Sequence, residues 1–349
     1  MFGFRKTRAL LGAAALTIGV ALVASGCTAG GGSPEGGNGG GEGGGEAITV
    51  TFLPKNLGNP YFDTSSKGGK AAVEAFGGTF EEVGPTEASP TSQVQYIQTA
   101  AQQGVNGLVI SANDPSALCD ALEEARSAGT KIVTFDSDTD PECRDLFINQ
   151  ATAEGIAKAQ VDLIAEQIGD AGEVAVLSAS ANATNQNAWI ELMKTELEEN
   201  HPDITLVDTV YGDDDDQKSF DQTAALLQSH PNLKGIISPT TVGIAAAARY
   251  LSTSEFKGKV ALTGLGTPNQ MREYVEDGTV TAFALWNPED LGFLAAYAAK
   301  ALADGTITGE EGDTFEAGDL GEFEVGEGAS VLLGEPFVFN AENIGEFDF

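Results

Sequence analysis

The feature that most constrains this chain is an alternation that begins at Ala47 and runs to about residue 303, in which short apolar runs are followed by longer amphipathic stretches. Residues 48–53, 79–83, 107–111 and 131–135 read as strands, and 61–76, 91–103 and 115–128 as the helices between them. In 91–103 the apolar residues Val94, Ile97 and Ala101 fall on one helical face. Strands that are apolar at nearly every position must be buried on both sides, which a parallel sheet covered by crossover helices provides. Gly104 and Gly129 stand before the third and fourth strands, where the preceding helices should end.

The pattern then restarts. Helices are expected over 155–168, 188–199, 219–230 and 242–251, and strands over 173–178, 205–211, 235–238 and 260–265. Two consecutive units of this kind predict an α/β protein of two Rossmann-like lobes, divided near 150–154, with no solenoid repeat. A strand over 281–286 and a helix over 290–303 precede a glycine-rich, β-like end. We expect 47–150 plus 281–306 to form the N-terminal lobe and 151–280 plus 307–349 the C-terminal lobe. That topology leaves three crossing strands as a hinge.

The first 46 residues follow other rules. Arg5, Lys6 and Arg8 precede an apolar run over 9–24, which ends in Ala24-Ser25-Gly26-Cys27 before a glycine-rich stretch. A basic start, a short apolar core and small residues describe a secretory signal peptide over 1–26, and the run is too short for a spanning helix. Cys27 after Ser-Gly resembles the lipobox of bacterial lipoproteins, with ordinary signal-peptidase cleavage as the alternative. The lipidated Cys27 and the glycine-rich tether then occupy 27–46, a coil with a span of about 25 Å. This reading implies an exported protein, anchored by lipid to the outer face of the cytoplasmic membrane. In that oxidising compartment the remaining pair, Cys119 and Cys143, suggests a disulfide. Closing a loop of about 23 residues would be worth roughly 3 kcal/mol; two buried thiols are the alternative.

A net charge of −34 argues against nucleic acid or an anionic lipid surface as a partner. No cofactor is expected, and no metal site. His201 and His230 are each followed by Pro and read as helix-ending residues. Residues 213–216 are four aspartates without EF-hand spacing, and read as a solvated turn feeding acids into a helix N-terminus.

Open parallel sheets bind ligands beyond the carboxyl ends of their strands. The residues at those ends include Lys55, Asn56 and Phe62; Ser111, Asn113 and Asp114; Asp136 and Asp138; Asn185 and Gln186; Pro239, Thr240 and Thr241; and Trp286. Amides, hydroxyls and two carboxylates with one cation, Lys55, and aromatic faces at Phe62, Trp189 and Trp286 suit a polyhydroxylated ligand. A phosphate would want a glycine-rich turn opening a helix, which these segments lack. Asn185 precedes a helix and reads equally as its N-cap. Asp136 and Asp138 share one loop, so they do not form the opposed carboxylate pair of a glycosidase.

The stretches LPKNLGNPYFDTS, VGPTEAS, SANDP, TFDSDTDPECRDLFINQ, NQNAW, TGLGTPNQMREYV, ALWNPEDLG and FNAENIGEFDF extend through the whole mature chain. They resemble the type I, ribose-binding-like solute-binding proteins of ABC sugar importers, in the branch of rhamnose-binding lipoproteins and autoinducer-2-binding proteins. The resemblance implies two lobes that close on one monosaccharide, L-rhamnose in the first place, and a monomer that delivers it to an ABC permease with its ATPase. It places the autoinducer-2 site pattern on Lys55, Asp136, Asn185, Gln186, Pro239 and Thr241. Asn185 stands where that pattern carries Asp, and Thr241 where it carries Ala. The ribose pattern departs further, with no Arg after Asp136 and Leu265 in place of an Asp. An apolar residue there suits the methyl group of a 6-deoxy sugar.

Overall fold

Val50, Phe52, Leu108, Val109, Ile110, Ile132 and Val133 are wholly buried, so the strands that carry them are enclosed by helices on both faces. The computed structural model describes residues 47–349. The first unit runs β1 (Thr49–Leu53), α1 (Pro60–Ala75), β2 (Thr79–Glu82), α2 (Val94–Gln103), β3 (Gly107–Ile110), α3 (Cys119–Ser127), β4 (Lys131–Phe135) and β5 (Leu146–Asn149). Gly104 closes α2 in the left-handed conformation, φ 67°, as a glycine at that position allows. Cys119, at the start of α3, is joined to Cys143 in a disulfide with Cα atoms 5.1 Å apart.

The second unit runs α4 (Ala153–Ile168), β6 (Gly172–Ser178), α5 (Thr184–Asn200), β7 (Ile204–Tyr211), α6 (Asp216–Ser229), β8 (Leu233–Ser238), α7 (Thr241–Thr253), β9 (Ala261–Gly264) and α8 (Pro268–Glu276). His201 and His230 are the C-caps of α5 and α6. The chain continues through β10 (Ala282–Leu285), α9 (Pro288–Ala303), β11 (Thr314–Glu316), β12 (Glu322–Glu324), β13 (Ser330–Leu332) and β14 (Phe337–Asn340). Neither β5 nor α8 was expected. Each is too short to show a period of its own.

The first sheet is parallel, in the order β13-β5-β4-β3-β1-β2. The second has the parallel order β7-β6-β8-β9. β10 lies beside β9 through a Leu265–Ala284 bridge and pairs antiparallel with β14.

This pairing corrects the expected division of the C-terminal third. β10, assigned to the first lobe, adjoins the second sheet through the Leu265–Ala284 bridge, whereas β13, assigned to the second lobe, is an edge strand of the first. The reason is tertiary. Arg144 is held by both carboxylate oxygens of Asp138 and donates to the carbonyls of Gly328 and Ala329 at 3.0 Å, which fastens the segment before β13 to the first sheet. Only α9 returns as expected, and it packs backbone to backbone on α1. A Cβ on Gly292 would stand 1.8 Å from the Ser65 carbonyl oxygen, and one on Gly68 1.9 Å from that of Glu289. The chain thus passes between the sheets at 150–152, 286–287 and 333–336.

The signal peptide, Cys27 and the tether lie outside the described residues. Among those described, no helix is long and apolar enough to cross a membrane.

Candidate functional site

Both sheets reverse their strand order next to their first strand, at β1/β3 and at β6/β8, and the loops beyond those strand ends face one another. Between them lies a narrow cavity.

The first lobe's wall is set by a buried amide. Gln93 donates to the carbonyls of Pro54 (3.0 Å) and Ser111 (2.8 Å) and accepts from the Asn113 amide N–H (3.0 Å), tying the ends of β1 and β3 together. Asn113 in turn donates to the Lys55 carbonyl at 2.9 Å, so the lysine backbone is fixed. After β4, Asp136 adopts φ 60°, a left-handed conformation uncommon outside glycine and found at ligand clamps. Ser111 Oγ donates to its Oδ2 at 2.8 Å, and Gln150 Nε2 to its carbonyl at 3.2 Å. Lys55 Nζ lies 3.6 Å from Asp136 Oδ2, and the two side chains are only 6% and 8% exposed.

The second lobe answers with the first turn of α5. Gln186 Oε1 accepts from Ser178 Oγ (2.7 Å) and the Ala179 N–H (2.8 Å), locking the helix to the end of β6. Asn185 is not the N-cap, which is Ala183. Instead its Oδ1 accepts from Lys55 Nζ at 3.3 Å, and its Nδ2 donates to the Asp136 carbonyl and Oδ1 at 3.3 and 3.4 Å. Side chains of the two lobes therefore touch across the cleft, and the molecule is closed. Pro239 and Thr241, from the start of α7, complete this side.

An aromatic wall spans both lobes. Trp286 sits on the 286–287 crossing and donates its Nε1–H to the Tyr61 hydroxyl at 2.9 Å. Trp189 meets Trp286 edge-on with centroids 6.2 Å apart, and Phe62 packs against Tyr61 and Phe135. Burial, reinforced by the Asp136 charge, holds the Tyr61 phenol well above the ordinary tyrosine range, so it stays a hydroxyl.

Of the residues expected at the site, Lys55, Phe62, Asp136, Asn185, Gln186, Pro239, Thr241 and Trp286 line the cavity. Two do not. Asn56 is buried outside the lining. Asp138 is bound to Arg144, Thr134 and its neighbour Thr139, within the first lobe. Residues two apart share a side only in a regular strand, and the left-handed turn at Asp136 breaks that alternation.

The lining also includes Asn59 and Tyr61 from the loop after β1, and residues that sequence reasoning did not select, among them Leu285 and Asp214. The solvated-turn reading of 213–216 holds for Asp215, which caps α6 by accepting from the Lys218 N–H at 2.6 Å. It fails for Asp214, whose carboxylate faces the cleft and accepts from Thr240 Oγ1 at 2.5 Å. Burial raises the Asp214 carboxyl above the ordinary range, against the opposing pull of Thr240 and the Lys55 charge. The available signal was position: the turn follows the end of β7, as the other site loops follow their strands.

Away from the cleft, Asp162, Glu196 and His201 gather on the surface of the second lobe. Lys158 Nζ already stands 2.7 Å from Asp162 and 3.5 Å from Glu196.

The model of the periplasmic binding protein domain matches residues 50–307. The chain belongs to the periplasmic binding proteins. A sugar ABC transporter structure from Actinomyces odontolyticus is 55% identical, covering 86% of this chain and 98% of its own, with a TM-score of 0.71. An ABC transporter solute-binding protein from Clostridium phytofermentas with bound L-rhamnose is 41% identical over 86% of this chain and 98% of that one, with a TM-score of 0.83. LsrB from Clostridium saccharobutylicum in complex with AI-2 is 28% identical over 86% of this chain and 100% of its own, with a TM-score of 0.82. This periplasmic binding protein is thus the solute-binding component of a sugar ABC transporter, acting outside the cytoplasm, and a transport component rather than an enzyme.

Proposed function

We propose that the cleft captures one neutral monosaccharide, L-rhamnose in the first place, and presents it to an ABC permease driven by its ATPase. The observation that carries this reading is the lining itself. Among the described residues that line it, the one ammonium is already paired with Asp136, which leaves no free cation there for an anionic ligand. Amides, threonines and the Tyr61 and Trp286 edges suit ring hydroxyls. Leu265 and Leu285 supply an apolar corner for the methyl group of a 6-deoxy sugar. The L-rhamnose-bound relative supports the same choice. Closure uses the crossings at 150–152, 286–287 and 333–336 as hinges, with contacts from both lobes stabilising the closed state. The N-terminal sequence supports export, removal of 1–26 and lipidation of Cys27, which would leave a monomeric sugar trap on a glycine-rich leash.

An autoinducer-2 receptor is the second reading. Lys55, Asp136, Gln186 and Pro239 agree with that site pattern and all line the cavity. Asn185 and Thr241 depart from it, and losing a carboxylate at 185 removes a charged acceptor. Calorimetry and thermal shift with L-rhamnose, other deoxy sugars, ribose and autoinducer-2 test both readings. L-rhamnose at 100 times its dissociation constant should stabilise the protein by about 2.7 kcal/mol. Stabilisation by autoinducer-2 alone refutes the rhamnose assignment.

A further inference from the structure

We propose that Asp214 is the second lobe's carboxylate acceptor for a ligand hydroxyl, and that it selects sugars carrying a hydroxyl on that side of the ring. This rests on the reading of the ligand as a neutral sugar.

Asp214 lines the cavity from a turn in which it and Asp213 both hold left-handed backbone, φ 52° and 54°. Residues other than glycine in that region are costly and persist where the surrounding structure requires them, commonly at ligand clamps. The turn is anchored on both sides, by the Asp215 cap on α6 and by Thr240 at the start of α7. The acid therefore projects from a turn braced at the N-termini of two helices, which is the support that a discriminating contact needs.

Its hydrogen bonding is incomplete. Among the described residues, Thr240 Oγ1 is the donor to this carboxylate, reaching Oδ1. Lys55 contributes its charge, while its Nζ donates to Asn185 and pairs with Asp136 at 3.6 Å. A half-buried carboxylate with one protein donor has lone pairs left to accept another. A hydroxyl is the donor that a neutral sugar brings. Asn185 presents an amide whose oxygen and nitrogen are both engaged by Lys55 and Asp136. The charged acceptor of this lobe is therefore displaced from 185 to 214. A carboxylate separates a hydroxyl from a deoxy position more sharply than an amide does, because the charge-assisted bond is about twice as strong.

The groups facing Asp214 are Lys55 and Asp136 from the first lobe, Asp213 on its own turn, and Thr240 on α7. Burial raises its carboxyl above the ordinary value of 3.8, and a donated hydroxyl favours the ionised form. Sugar binding then releases a proton as the raised carboxyl is ionised, so affinity increases as pH rises towards the raised value.

The test is calorimetry on the full body with the sugar that stabilises the native protein. Asp214→Asn should weaken binding roughly tenfold to a hundredfold, as loss of a charge-assisted bond does. The same variant should flatten the acid side of the affinity profile and leave the melting of the unliganded protein in place. Asp213→Asn, which alters an exposed acid paired with Lys218, should bind as the native protein does. A deoxy analogue lacking the contacted hydroxyl should lose much less in Asp214→Asn than in the native protein. Native affinity and an unchanged pH profile in Asp214→Asn overturn this inference alone. Failure of the native protein to bind any neutral sugar overturns the functional reading and this inference with it.

Discussion

The pair of Lys55 and Asp136 offers the sharpest test of how the cleft works, because each group is expensive to bury without the other. At 3.6 Å and an effective dielectric of about 20 their attraction is about 4–5 kcal/mol, before desolvation is subtracted. In Lys55→Met the Asp136 carboxylate keeps its Ser111 donor but loses its cation. Removing one partner of a buried pair costs about 3–5 kcal/mol. Water can reach this site when the lobes part, so the cost falls on the closed state rather than on folding. Lys55→Met should then weaken sugar binding by roughly a hundredfold to a few thousandfold, at about 1.4 kcal/mol per factor of ten. Asp136→Asn leaves Lys55 with the Asn185 oxygen and the Asp214 charge, and should weaken binding by about tenfold to a hundredfold. The double variant carries no orphaned charge at this pair, so its loss should fall short of the summed single losses by about 1–3 kcal/mol. Calorimetry on the four proteins closes the cycle, and melting of the unliganded forms should move little. Additive losses, or equal losses in melting and binding, would show that the pair does not act as a ligand-binding unit.

Three further outcomes follow from the packing. Asp138→Asn should leave sugar affinity within about threefold of native, and Arg144→Met should lower unfolding stability by about 3 kcal/mol, the low end for a broken buried pair; a selective loss of affinity in Asp138→Asn would return that residue to the site. Gly292→Ala drives a methyl into the Ser65 carbonyl and should cost about 1–3 kcal/mol or more in denaturant unfolding, with native stability counting against the α1–α9 contact. Asp313 accepts from the N–H groups of Thr308, Gly309 and Glu310, which lowers its carboxyl below 3.8. The stability that it adds to the 308–313 turn is therefore present above 3.8 and lost as pH falls through the lower folded value; Asp313→Asn should remove this acid dependence from amide exchange at 308–310, and an unchanged profile would contradict it.

What the sequence determined by itself was everything that repeats along the chain. The periodicity of β1 to β4 and of α4 to α7 follows from burial on one face or two, and that burial is written in consecutive residues. The strand-end rule then picked out Lys55, Asp136, Asn185, Gln186, Pro239 and Thr241, which line the cavity, because in parallel sheets the chain leaves every strand at the same end.

What only the tertiary structure decided was which way a side chain leaves a loop, and which sheet claims a short strand. Asp136 and Asp138 are two residues apart and chemically identical, yet the left-handed turn at Asp136 sends one to the cleft and the other to Arg144. Asp214 sits among three other aspartates, and Thr240, 26 residues further along, distinguishes it. β13 is three residues long, too short to carry a period, and joins the first sheet because Arg144 holds the carbonyls before it. Each of these outcomes depends on a partner far along the chain, and local pattern carries no record of distant partners.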